Sequence, residues 1–156
     1  MTDLNRRTLI AALVPLAVPL MSADAQACEG AGTRDVLAAY ADDWARRDTG
    51  ALVSACHDNF TLFYPGRHAL AGVHRGKSAA LAALQELARR TRRELVAVVD
   101  IMAGAHEGAL HVIERWSTGE ARINVERVLV YTLRDGLLYE CHLFDGDAAL
   151  VETFLD

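Results

Sequence analysis

The chain of 156 residues is 52% apolar and 24% charged, a balance that gives one globular domain and excludes a disordered or low-complexity protein. Its formal net charge of −5 argues against nucleic acid or an anionic membrane surface as a partner, since both demand a basic face.

Residues 1–27 read as a leader. Arg6 and Arg7 precede an unbroken apolar run from Thr8 to Met21, and Ala23-Asp24-Ala25 and Ala25-Gln26-Ala27 offer small residues for cleavage, the three-part layout of a secretory signal. The run is shorter than the ~20 residues of a spanning helix, and Pro15 and Pro19 interrupt it. Asn5-Arg6-Arg7-Thr8-Leu9-Ile10 also has the look of a twin-arginine signal. Periplasmic or secreted localisation follows. Membrane attachment would come only through the leader or through a lipid on Cys28, which Ala25 and Gln26 fit poorly. Removing residues 1–27 takes away two arginines and two aspartates and leaves the net charge unchanged.

The remaining residues, 28–156, form one unit. Thr33 is placed to cap a helix from Arg34 to about Arg47, with Val36, Leu37, Tyr40 and Trp44 on one face. Asp48 or Thr49 restarts a shorter helix over Ala51–His57, and Asn59–Tyr64 reads as a strand ended by Pro65-Gly66. Ser78 is placed to cap a third helix, Ala79–Arg90, with Leu81, Leu84 and Leu87 as its core stripe. The basic run Arg89-Arg90-Thr91-Arg92-Arg93 then complements the helix dipole. Four strands follow, Glu94–Met102, Ala109–Ser117, Arg122–Leu133 and Leu137–Phe144, joined by hairpin chemistry. Three N-terminal helices packed on a curved, mostly antiparallel sheet make an α+β fold that naturally encloses a cavity.

Cys28, Cys56 and Cys141 show no CxxC spacing, so zinc is unsupported. No His, Asp or Glu spacing suggests another metal, and no cofactor is implied. In an oxidising compartment one cysteine pair could close, and spacing does not choose which.

Tyr40-x3-Trp44-x3-Asp48, the segment Phe63-Tyr64-Pro65-Gly66 through Leu70-Ala71-Gly72 to Arg75-Gly76-Lys77, and Leu133-Arg134-Asp135-Gly136-Leu137-Leu138 together resemble the SnoaL-like branch of the nuclear transport factor 2-like superfamily. The resemblance spans about residues 33–155. It implies a cone-shaped α+β barrel with one deep apolar pocket, often dimeric, shared by polyketide cyclases, ketosteroid isomerases, limonene epoxide hydrolases and scytalone dehydratases.

Tyr40 stands where the isomerases carry their oxyanion-binding tyrosine. Tyr64 stands where they keep an aspartate base and where, by the same resemblance, scytalone dehydratases have a tyrosine. A phenol with a pKa near ~10 is no substitute for a carboxylate base at neutral pH. Arg115 resembles the epoxide-hydrolase arginine, but Ser117 and Leu143 or His142 occupy the places of its two aspartates. Trp44, Phe63, Leu129, Tyr131, Cys141 and Leu143 are then the apolar lining or the core behind it.

Alternation separates His111, Ile113, Arg115 and Ser117 from Leu110, Val112, Glu114 and Trp116. If the first set faces the pocket, His111 is a general base and Arg115 an anion clamp. If it faces solvent, both are surface residues. Two functions follow. One is an exported, cofactor-free acid/base enzyme acting on an apolar ring-containing substrate through Tyr40, Tyr64, His111 and Arg115. The other is a periplasmic binding module that holds an apolar ligand unchanged, and either is compatible with a homodimer.

Overall fold

The computed structural model describes residues 23–156. The expected leader lies outside them but for the start of the first helix, and the side chain of Cys28 also lies outside the description. Helix α1 (Ala23–Arg46) buries Leu37, Tyr40, Ala41 and Trp44, a three-and-four spacing that puts them on one stripe. The chain turns at Arg47, whose φ is 58°. Asp48 then caps helix α2 (Thr49–Ser54) by accepting the Ala51 amide at 3.0 Å. Strand β1 (Cys56–Tyr64) and the short strand β2 (Gly72–His74) precede helix α3 (Lys77–Thr91). Strands β3 (Glu94–Ala103), β4 (Glu107–Thr118), β5 (Ala121–Arg134) and β6 (Leu137–Asp145) follow, and helix α4 (Ala148–Leu155) ends the chain.

The six strands form one curved, unclosed sheet in the order β2-β1-β6-β5-β4-β3. Neighbours run antiparallel except β1 and β6, which are parallel and pair Leu62 with Cys141 and Phe63 with His142. Helix α1 lies against β3 and β4, and α3 lies against β1 and β4, so both cover the same face of the sheet. The approach of α1 is close at Gly108, where a Cβ would stand 2.6 Å from Leu37 Cδ1 and 2.7 Å from the Met102 carbonyl oxygen. Only glycine fits there.

The α+β class and the mostly antiparallel sheet are as the sequence implies. Four details differ. The short strand β2 follows the expected β1 before the third helix, and α4 adds a helix the pattern did not announce. Thr33 is no cap: it lies within α1 and donates its hydroxyl to the Ala105 carbonyl at 2.9 Å. Ser78 does not cap α3 either, because the N-cap is Gly76, with φ 84° and no side chain to offer.

Candidate functional site

A cavity of about 580 Å³ opens between α1, α2, α3 and the start of β3, within the size range of small-molecule sites. Tyr40 and Trp44 form its floor on the α1 side, Leu52 and Val53 come from α2, and Leu81, Leu84 and Ala88 come from α3. Arg47, Arg92, Arg93 and Glu94 supply its charged groups. Glu94 is held by Arg47 at 2.7 Å in an exposed pair.

Arg93 is the charged side chain that reaches inward. Arg92, just before it, closes α3 in the left-handed region at φ 45°, and that reversal turns the next side chain under the helix. The Arg93 guanidinium lies over the Trp44 ring at 4.9 Å from its centroid. Its Nη1 donates to Glu114 Oε1 at 3.3 Å.

Beneath Arg93 is a buried polar network that the sheet supplies from four strands. Glu114 on β4 is fully buried and accepts the Trp116 indole N–H at 2.7 Å. Arg127 on β5, also fully buried, donates to Glu114 (3.4 Å), to Asp145 Oδ1 on β6 (2.6 Å) and to the Tyr64 hydroxyl on β1 (2.5 Å). Two carboxylates thus face two guanidiniums, and the tyrosine and tryptophan satisfy further lone pairs and protons. Buried charge is sustained only under such pairing.

Protonation states follow from these contacts. Burial pushes the Glu114 carboxyl upward, but Arg93 and Arg127 overturn that push and hold it below the usual carboxylate range. Burial would lower the Arg127 guanidinium, and Glu114, Tyr64 and Asp145 carry it upward instead. Burial raises both Tyr40 and Tyr64 well above the ordinary phenol, so each stays a neutral donor. Burial likewise raises Cys56 to about 11 and Cys141 to about 12. Neither thiol is a nucleophile at neutral pH.

The sequence-derived candidates divide. Tyr40 and Trp44 line the cavity. Tyr64 is buried away from it, its hydroxyl bound to Arg127. Leu129, Tyr131, Cys141 and Leu143 point to the same interior but are closed in the core, where Tyr131 meets Tyr40 edge-on at 5.7 Å between centroids.

His111 and Arg115 lie on the outer face of the sheet, because Leu110, Val112, Glu114 and Trp116 are the buried phase of β4. His111 pairs there with Glu126 at 2.6 Å, and Arg115 is exposed. The pocket-facing option for this pair is therefore overturned. Phe63 is also outside, stacked on His142 with centroids 4.1 Å apart.

Cys56 and Cys141 are free. Cys56 stands opposite Leu138 rather than Cys141 in the β1–β6 register. Among the described residues no three His, Cys, Asp or Glu side chains gather as a metal site.

Sequence reasoning missed Glu114, Arg127 and Arg93. The signal for the first two was present. Glu114 falls in phase with Leu110, Val112 and Trp116, and Arg127 in phase with Val125, Leu129 and Tyr131, so each is a charge on an apolar stripe. Arg93 was hidden in a basic run whose other members do what the dipole reading says: Arg89 and Arg90 pair with Glu86 in the last turn of α3.

The family model for the SnoaL-like domain matches residues 37–141. Among solved structures the chain is similar to Bal32a from a soil-derived mobile gene cassette, with a TM-score of 0.75 at 17% identity over 82% of this chain and 99% of that one. It is also similar to an NTF2-like protein from Burkholderia xenovorans LB400 (TM-score 0.68, 16% identity, 81% and 98% of the chains). A third is TerC co-crystallised with polyporic acid (TM-score 0.68, 15% identity, 80% and 99%). No curated protein matches. At these identities the likeness is one of fold.

Proposed function

The chain belongs to the SnoaL-like domain family, and on that premise we propose that its 580 Å³ cavity holds one apolar, ring-containing small molecule without transforming it. The observation that carries this reading is the state of the carboxylates at the site. Glu94 is held by Arg47, and Glu114 lies between Arg93 and Arg127. Glu114, kept ionised by its two guanidiniums, is a weak base, whereas general-base catalysis wants a pKa near the operating pH. With His111 on the outer face, no histidine is among the described residues that line the cavity. TerC, a neighbour by fold, was crystallised with polyporic acid, which supports a ligand-holding use of such a cone.

Nile red, a neutral apolar dye, tests the reading. Its emission should rise saturably at one dye per chain, and Leu84→Trp, which fills the cavity, should weaken binding by about tenfold or more. Non-saturable uptake, or binding indifferent to Leu84→Trp, would defeat it.

Catalysis is the second reading, favoured by one observation: Tyr40 lines the cavity as a neutral phenol, the form that donates to a developing oxyanion. Turnover of any ring substrate that is lost in Tyr40→Phe while binding persists would move the assignment to an enzyme. We also propose export. A mature N-terminus at Gln26 or Cys28 in fractionated cells is the expected result, and full-length protein confined to the cytoplasm would reject it.

A further inference from the structure

We infer that the ligand of this cavity is an organic anion: a flat apolar ring body carrying a carboxylate or an equally acidic oxygen, which Arg93 receives. The inference rests on the cavity being a ligand site, and it adds the chemical class.

Four observations meet on Arg93. First, its place is built. The left-handed Arg92 turns it inward, the Trp44 ring supports one face of its guanidinium, and Glu114 anchors one edge. A planar fork pre-organised in this way loses little freedom when it binds.

Second, the anchor leaves donors unspent. A guanidinium has five N–H groups, and the contact to Glu114, at 3.3 Å through Nη1, is the hydrogen bond it makes among the described residues. Its other nitrogens are not among the buried unpartnered atoms, while the side chain, 13% exposed, lines the cavity. The free N–H groups are therefore reached from the cavity.

Third, the charge of the wall is one-sided. Arg47, Arg92 and Arg93 stand against Glu94 alone in a chain of formal net charge −5. Glu114, the remaining negative neighbour, is already shared with Arg127. Fourth, the other walls are apolar: Leu52, Leu81, Leu84 and Ala88, with the Trp44 ring beneath the guanidinium. A ligand satisfying both surfaces places a ring among the aliphatic side chains and an anionic oxygen pair on the fork of Arg93, where charge-assisted bonds are strong.

The test compares 2-naphthoate with 2-naphthamide, its neutral isostere, by calorimetric titration of the purified protein. Naphthoate should bind about tenfold tighter or more, with an advantage that shrinks as salt rises. In Arg93→Gln the ratio of the two affinities should collapse toward one. Where that variant fails to fold, Arg93→Lys keeps a cation against Glu114 but removes the fork, and the ratio should still fall by about threefold or more. Equal binding of acid and amide by the unaltered protein would overturn the anion assignment and leave the cavity reading intact. Failure of both, together with Nile red, would remove the cavity reading itself. A naphthoate advantage undiminished in Arg93→Gln or Arg93→Lys would overturn the role given to Arg93.

Discussion

Glu114 and Arg127 face one another across adjacent strands with neither side chain exposed at all, Glu114 Oε1 lying 3.4 Å from Arg127 Nη1. The pair is stable because each member has other partners, Arg93 and Trp116 on one side and Asp145 and Tyr64 on the other. Arg127→Met should cost about 3–5 kcal/mol, since it leaves the buried Asp145 carboxylate without its guanidinium and takes one of two from Glu114. Glu114→Leu combined with Arg127→Met should cost less than the two single changes together, because the double change removes both ends of one pair. Urea unfolding of the three variants measures this, and strict additivity would show that the pair is not coupled.

Acid should destabilise the protein in two stages. His68 is buried and accepts the Leu70 amide on Nδ1 at 3.2 Å, which leaves Nε2 without a partner. Burial lowers its pKa, against the pull of Asp145 and Glu152. A lowered folded-state pKa means that the unfolded chain takes up the proton first. Stability is therefore full above about pH 6.5 and declines as pH falls through the folded value. Glu114 acts lower on the scale by the same sign, its contribution present above about pH 4.3 and lost as the carboxyl protonates. His68→Leu should flatten the first stage and Glu114→Gln the second. Urea midpoints taken across pH would separate them, and an unchanged first stage in His68→Leu would discharge His68 from it.

The thiols of Cys56 and Cys141 should be inert in the folded protein. Both are buried, and burial raises them to about 11 and about 12. With Cys28→Ser as background, a disulfide reagent such as Ellman's should react with neither at pH 8 until denaturant is added, and then with both. Rapid native labelling would mean that this part of the interior opens readily.

The outer face of the sheet is the proposed contact of a homodimer. Phe144 lies on the outer face with His142 on β6, while Met102, opposite Ala109, leaves its side chain partly bare on β3. Light scattering should report a dimer, and Phe144→Asp with Met102→Asp should shift it to monomer. A monomeric unaltered protein would reject the proposal. His111→Ala and Arg115→Ala, on that same face, should leave Nile red binding within about twofold, and the surface His111–Glu126 pair should be worth at most about 1 kcal/mol.

The strand pattern was legible because alternation survives even where the sheet is curved: β3 to β6 begin and end within two residues of their sequence-derived bounds. β2 escaped notice because three residues carry no period, and α4 because a short apolar stretch after a strand reads as more strand. The site was harder for a different reason. Tyr40 and Trp44 declare themselves by sharing a helical stripe. Whether Arg93 turns in or out depends on the left-handed Arg92 before it, and an arginine at that backbone position is no sequence signal. Choosing between the two faces of β4 required weighing Leu110, Val112 and Trp116 against a family analogy, and burial of large apolar side chains decided it.

The parallel pairing of β1 with β6 orders events in time. Leu62 pairs across to Cys141, and the Leu138 amide donates to Ala55 at 2.9 Å, so β1 waits for a neighbour that the ribosome makes only after β2 to β5. Until then β3, β4 and β5 can assemble as a local meander, while β1 has β2 as its one strand partner, with α3 against it. Closure of so long a loop is slow. A nascent chain halted at Arg134 would display a half-built sheet with its β1-side interior bare, which makes β6 the strand on which rescue from aggregation depends.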